Sequence, residues 1–149
     1  MSTPEFAFRL VSGNFYLTAE GGGGRTADPN TDPLHTNRRV TQGIDIWEKF
    51  AIKPVGLHEF SIQTSNGTNF LTAVDGGGRA TDAIHTDATS VGPWEEFKLE
   101  FQGDGTYAIK TSTGGYLSAV PNQSKNAVRT DAPSVGTAEK FWLILAIPT

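Results

Sequence analysis

The stretch Asp82-Ala83-Ile84-His85-Thr86-Asp87 places an imidazole between two carboxylates. Such a set supports three kinds of chemistry. Carboxylate oxygens and an imidazole nitrogen can ligate a divalent metal. A His–Asp pair can activate a nucleophile or a water held in a cleft. The same groups can hydrogen-bond the hydroxyls of a sugar, because carboxylates accept and ring N–H groups donate. A structural reading stands beside all three, since Asp, Asn and Thr form turns and cap their own backbone.

The stretch has two sisters. Asp32, His35, Thr36 and Asn37 come before it, and Asn126, Arg129, Thr130 and Asp131 come after it. The shared pattern is an acid or amide, two residues, a donor-capable side chain, Thr, then Asn or Asp. Arg129 argues against metal, because a guanidinium is always charged and cannot ligate one. Catalysis lacks its other parts. The chain has no Cys, and neither a GxSxG nor an HExxH motif occurs. Three near-equal loops also do not suggest the single groove that a carboxylate pair about 5–10 Å apart would span.

Sugar binding tolerates the exchanges that a metal would not. An amide can replace a carboxylate by accepting and donating, and Arg can replace His as a donor. The pattern therefore predicts sugar contacts from Asp32, His35 and Asn37, from Asp82, His85 and Asp87, and from Asn126, Arg129 and Asp131. It predicts no enzyme activity, no metal and no cofactor. The Gly-rich turns, through Gly22, Gly23, Gly77 and Gly78, would let a ligand approach the backbone closely. Turn chemistry is the competing reading of the same positions, and the invariant Thr36, Thr86 and Thr130 are read as structural. His58 has no counterpart in the other copies and is read as ordinary surface.

The elements that carry these loops repeat as well. "NFYLTAEGGGGRTAD" recurs as "NFLTAVDGGGRATD" and more loosely as "GYLSAVPNQSKNA". Each copy ends in an apolar aromatic run: "IWEKFAI", "PWEEFKL" and "AEKFWLI". Leu17, Leu71 and Leu117 correspond, as do Phe50, Phe97 and Phe141. The period is two rather than 3.6: Phe60 and Ile62 share a face, as do Phe97, Leu99 and Phe101. Gly- and Asn-rich breaks between the runs read as hairpin turns. Roughly four strands per copy, twelve in all, predict an all-β fold. Three such units closed about a pseudo-threefold axis make a β-trefoil, which leaves no long unpaired edge. The expected unit is one domain, 1–149, with repeats at about 6–56, 57–103 and 104–149.

Composition agrees. Of the 149 residues, 19% are charged and 17 are Gly, and the net charge is −4. An acidic chain without a basic run is a poor partner for nucleic acid or anionic membranes. No apolar stretch approaches the ~18 residues of a membrane span. "MSTPEFAF" has no apolar signal region, and with no Cys a cytoplasmic location is expected. The sequons at Asn66 and Asn122 are then expected to be unmodified. Trp47 and Trp94 lie beside core phenylalanines, which favours packing over a sugar-stacking role. Glu48, Glu95 and Glu139 read as solvated strand-edge groups.

"YLTAEGGGG" followed by "WEKF" resembles the fascin-type β-trefoil repeat. Read as three copies, nearly all of the chain resembles the fungal β-trefoil lectins related to that repeat, most of all those of bolete mushrooms. The ricin-type QxW motif is absent, so a ricin-like sugar site is not implied. The resemblance implies a non-catalytic agglutinin for galactose- or N-acetylgalactosamine-terminated glycans and glycoproteins, with up to three equivalent sites. A homodimer would double them, and joining sites raises avidity by about 10²–10⁴-fold where geometry permits. The alternative class is protein binding: fascin-like actin bundling, or protease inhibition through the 29–45 loop with its Arg38-Arg39 pair. Actin bundling suits basic patches, and here the 12 Lys and Arg residues are dispersed.

Overall fold

The period-two runs form strands, and the breaks rich in Gly and Asn form the turns between them. A computed structural model describes residues 3–26 and 28–146. The ends of the expected domain (1–2 and 147–149) and Ala27 lie outside the described residues. Twelve strands follow in order. The first repeat holds β1 (Glu5–Leu10), β2 (Phe15–Ala19), β3 (Leu34–Arg39) and β4 (Phe50–Pro54). The second holds β5 (Phe60–Gln63), β6 (Phe70–Ala73), β7 (Ile84–Ala88) and β8 (Lys98–Phe101). The third holds β9 (Tyr107–Lys110), β10 (Tyr116–Ala119), β11 (Val128–Ala132) and β12 (Phe141–Ala146). Only short 3-10 turns interrupt the strands among the described residues.

The outer strands of each repeat close a six-stranded barrel. β1 pairs with β4 and β12, β4 with β5, and β8 with β9. Phe60 and Phe97 bridge the β5–β8 seam, and β9 meets β12 at Tyr107 and Phe141. The inner strands form three antiparallel hairpins, β2–β3, β6–β7 and β10–β11. Each hairpin shifts register at the same place, between Tyr16 and Thr18, Phe70 and Thr72, and Tyr116 and Ser118. A barrel closed by three matching hairpins is a β-trefoil.

The core is built in triplets. Phe50, Phe97 and Phe141 are fully buried, as are Leu17, Leu71 and Leu117. Phe8, Ile62 and Ile109 form a further set. Phe8 meets Phe50 edge-on at 5.4 Å and Phe141 at 6.4 Å between ring centroids. Each buried side chain of this size contributes about 1.5–3 kcal/mol from area removed from water.

Two polar triplets lock the repeats. Thr36, Thr86 and Thr130 are fully buried, and each clamps a turn of another repeat. Thr86 exchanges backbone bonds with Gly24 and Arg25 of the first repeat, at 2.6 and 2.9 Å, and its Oγ1 accepts from the Arg25 N–H. Thr130 holds Gly78 and Arg79 of the second in the same way. Thr36 holds Asn122 and Gln123 of the third. The circuit closes on itself, so no repeat satisfies its own turn.

The second triplet corrects an expectation. Glu48 and Glu95 are buried and Glu139 is partly buried, so they are not solvated edge groups. Each carboxylate ties a hairpin to a 3-10 turn. Thr18, Thr72 and Ser118 donate their hydroxyls to Glu48, Glu95 and Glu139 at 2.8, 2.7 and 2.6 Å. The second oxygen accepts from the backbone N–H of Asp45, Gly92 or Gly136. A carboxylate with both oxygens occupied this way tolerates burial that a bare one would not.

Candidate functional site

Alternation along β3, β7 and β11 decides which side chains face outward. Thr36, Thr86 and Thr130 point inward, so their flanking residues take the opposite face. The structure brings each predicted trio near its own hairpin, but the three are not equivalent.

In the first repeat the trio is consumed by the protein itself. His35 is buried, and its Nε2 lies 2.8 Å from Glu20 Oε1. Asp32 is buried too. It accepts from the Asn126 N–H at 2.5 Å and lies 2.7 Å from Lys125 Nζ. Asn37 accepts from Ser124 Oγ at 2.9 Å. Asp32 and Asn37 join the first repeat to the third, while His35 pins the Glu20 turn of its own repeat.

In the second repeat the trio is open. His85 Nε2 lies 2.7 Å from Asp82 Oδ1, and both side chains are only partly covered. Asp82 takes a left-handed backbone conformation at φ 48°, as does Asn126 at 53°. Asp87 is exposed and makes no hydrogen bond or ion pair among the described residues. The carboxylate takes up Nε2 of the ring, so Nδ1 is the ring nitrogen without a hydrogen-bond partner among the described residues. The expected N–H donor is therefore already engaged at Nε2, and the Asp87 carboxylate is the open acceptor of this face.

The third repeat differs again. Arg129 donates from Nε and Nη2 to the two oxygens of Asp131, at 3.2 and 3.0 Å. This pairing holds the Asp131 carboxyl below its ordinary value and raises the Arg129 guanidinium. Arg129 is exposed and its Nη1 makes no hydrogen bond among the described residues, so this face donates.

Three of the four predicted glycine contacts lie against another repeat. Gly23 and Gly77 have φ of 113° and 121°, and a side chain there would collide with Thr64 or Thr111 of the next repeat. Gly22 is buried, and its carbonyl accepts from the Asn66 N–H. Gly78 uses its N–H on Thr130. Gly22, Gly23 and Gly77 thus serve repeat-to-repeat packing, while Gly78 is exposed with open space beside its Cα.

Two features escaped the sequence reading. Asp28 lies just before the 29–45 segment, an insertion relative to the other repeats, and lines a polar concavity of about 490 Å³ with Glu20, Arg25 and Asn30. Backbone N–H groups of Asn30 and Thr31 hold the Asp28 carboxyl below its ordinary value. The signal was present: Asp28 follows Arg25 by the same interval as Asp82 follows Arg79. The second feature is the tryptophans, expected to pack. Trp47 and Trp94 are 43% and 46% exposed, each on a 3-10 turn beside a glycine, Gly22 or Gly76. A cleft of about 300 Å³ at Trp47 is also lined by Arg38, Asp45, Ile46 and Glu48. No cluster of three or more His, Asp or Glu gathers to hold a metal among the described residues.

The 29–45 segment is not a free loop. Its middle is β3, with Leu34, His35 and Thr36 buried, followed by a 3-10 turn at Val40–Gln42. Arg38 binds the carbonyls of Gly43 and Gln42, and Arg39 lies over the Phe15 ring. A reactive loop that docks into a protease needs an exposed extended segment, and here the middle of the segment is partly buried strand, with Arg38 held by two carbonyls and Arg39 exposed.

No protein-family model matches the chain, and no curated protein sequence matches it. Solved structures do resemble it. A designed threefold symmetric protein, ThreeFoil, superposes with a TM-score of 0.77 at 12% identity, over 94% of this chain and 97% of the designed one. A mosquitocidal holotoxin matches with a TM-score of 0.75 at 12% identity, over 99% of this chain and 18% of the toxin. An exo-β-1,3-galactanase from Clostridium thermocellum matches with a TM-score of 0.76 at 14% identity, over 97% of this chain and 31% of the enzyme. The chain thus spans only a fraction of the two natural proteins. At these identities the likeness is one of fold, and the fold is the β-trefoil.

Proposed function

We propose that this protein is a non-catalytic lectin for terminal galactose or N-acetylgalactosamine, akin to the fungal β-trefoil lectins. The observation that carries the reading is the outer face of β7. There Asp87 stands exposed and without a partner among the described residues, beside a His85 held through Nε2 by Asp82 Oδ1, with Arg79 Nη2 4.0 Å from Asp82 Oδ2. Adjacent sugar hydroxyls present several donors to one side, and a set of neighbouring acceptors complements them. The outer face of β11 offers the complementary donors of Arg129, which suit a ring oxygen or an N-acetyl carbonyl. The first repeat's trio is closed, so the expected three equivalent sites become two unlike ones. Two sites on one rigid body suffice to crosslink glycans, and a homodimer would multiply them. The galactanase, an enzyme named for a galactan, includes a region of this fold, and that accords with a sugar-binding role.

The protease-inhibitor alternative has no comparable support, because Arg38 of the 29–45 segment is held by the carbonyls of Gln42 and Gly43. A glycan array tests the proposal. Binding confined to galactose- and N-acetylgalactosamine-terminated glycans is expected, with red-cell agglutination reversed by free galactose. Absence of glycan binding together with inhibition of a trypsin-like protease would contradict it.

A further inference from the structure

We propose that the cleft beside Trp47 is a separate carbohydrate subsite, present in the first repeat only, that takes one neutral pyranose ring. The proposal rests on the carbohydrate reading above but uses none of the residues on β7 or β11.

The cleft has the parts such a ring needs. Trp47 supplies an exposed aromatic face for the C–H face of a sugar. The Gly22 turn supports the ring, with Trp47 Cδ1 lying 3.6 Å from where a Cβ on that glycine would sit. Arg38 is already fixed on one flank. Its Nε donates to Gly43 O at 2.9 Å and its Nη2 to Gln42 O at 2.8 Å, with Glu48 Oε1 3.6 Å away. Its Nη1 group makes no hydrogen bond among the described residues. Asp45 stands on the other flank. Its Oδ1 accepts from the Ile46 N–H at 2.8 Å, which leaves Oδ2 open. One held donor, one held acceptor and a flat apolar platform form a minimal polyol site. Ordering the groups beforehand lowers the cost of binding. The volume of about 300 Å³ is that of a small-ligand pocket.

Charge selects the ligand class. Glu48 cannot contact the sugar strongly, because Thr18 and the Asp45 N–H already occupy its oxygens. Its charge still adds to that of Asp45, so the lining carries two acids against one Arg, which disfavours an acidic sugar. The guanidinium in turn disfavours an aromatic cage for a cation.

The other repeats lack this arrangement. Cross-strand partners align Arg38 with Ala88 and Ala132, opposite Tyr16, Phe70 and Tyr116. Gly92 and Gly136 stand where Asp45 stands, and Ala138 replaces Trp47 in the third copy. The 3-10 turn at Val40–Gln42 also has no counterpart, and it positions both carbonyls that hold Arg38. The insertion thus builds the wall of one cleft.

The chain has three Trp, so ¹⁵N labelling gives three indole signals to follow. The probes are the methyl glycosides of galactose, N-acetylgalactosamine, glucose and mannose. A saturable shift of the Trp47 signal is expected with at least one of them, with Trp142 unmoved. Arg38→Ala and Asp45→Gly should each weaken that response tenfold or more, while His85→Ala leaves it intact. Asp45→Gly installs the residue that the other repeats carry at this position, Gly92 and Gly136, so it guards against an Arg38→Ala variant that fails to fold. If glycosides titrate signals of β7 or β11 and Trp47 stays still, the subsite is wrong and the lectin reading survives. If no signal moves with any glycoside, both are wrong. A Trp47 response to tetramethylammonium or glucuronate but to no neutral glycoside also overturns the subsite.

Discussion

Thr86 and its neighbours His85 and Asp87 are adjacent in the chain but belong to two differently organised regions. The inward threonines form a threefold seam, in which Thr36, Thr86 and Thr130 make the same contacts to another repeat's turn. The outward residues form three unlike faces: His35 on Glu20, His85 on Asp82 and Arg129 on Asp131. The difference shows how a repeated fold divides labour. Positions that must satisfy a neighbouring repeat stay alike, while the opposite face, one residue away, is free to diverge. Recurrence of a polar residue in all copies therefore signals architecture, and unlike outer faces are where ligand chemistry is to be sought.

That contrast can be broken most severely from the inside. Phe97→Ala should cost about 3–5 kcal/mol, by lost burial and a residual cavity. Phe50→Ala and Phe141→Ala should cost alike, as urea midpoints will report if the interior is truly threefold. Next come the seams. Thr130→Val keeps shape but strips the Arg79 N–H of its side-chain partner, for about 1–3 kcal/mol. The matching changes at Thr36 and Thr86 should agree within a factor of two, and one near-neutral member would break the symmetry.

The outer faces should behave in the opposite way. His35→Ala removes a buried partner of Glu20 and should cost about 1–2 kcal/mol. His85→Ala should cost less than about 0.5 kcal/mol, as expected of a surface position. Thermal melts of the two variants sharpen the comparison directly.

The smallest effect is one of pH. The folded Asp131 carboxyl lies below its ordinary value because Arg129 donates to it. Such a group adds stability above its unfolded value, about pH 4, and loses it as pH falls through the folded value. Asp131→Asn should slightly flatten the loss of stability on acidification, and only slightly because the pair is exposed.

The fold was legible in the chain and much of the site was not. Alternation and internal repetition located the barrel strands, and Leu17, Leu71, Leu117 and the three phenylalanines are core as expected. The expected repeat boundaries fall in the β4–β5 and β8–β9 turns. Partners far apart in sequence were hidden. Thr36 meets residues 84–87 positions away, and no local pattern says which turn a strand will meet. Glu48 and Glu95 looked solvated because their type usually is, and only the hairpin hydroxyls explain their burial. Trp47 and Trp94 looked buried by proximity to Phe50 and Phe97, yet a 3-10 turn rotates them outward. His35 and His85 looked equivalent until the inserted loop and the Glu20 turn closed over one of them.

The most direct test of the account is a calorimetric titration of the wild type, Asp87→Ala and His35→Ala with N-acetylgalactosamine and lactose. The account predicts saturable binding by the wild type. It predicts at least tenfold weaker binding at one site of Asp87→Ala with an unchanged melting temperature, and unaltered affinities in His35→Ala despite its lower stability. Wild-type affinities retained in Asp87→Ala, or lost in a still-folded His35→Ala, would contradict it.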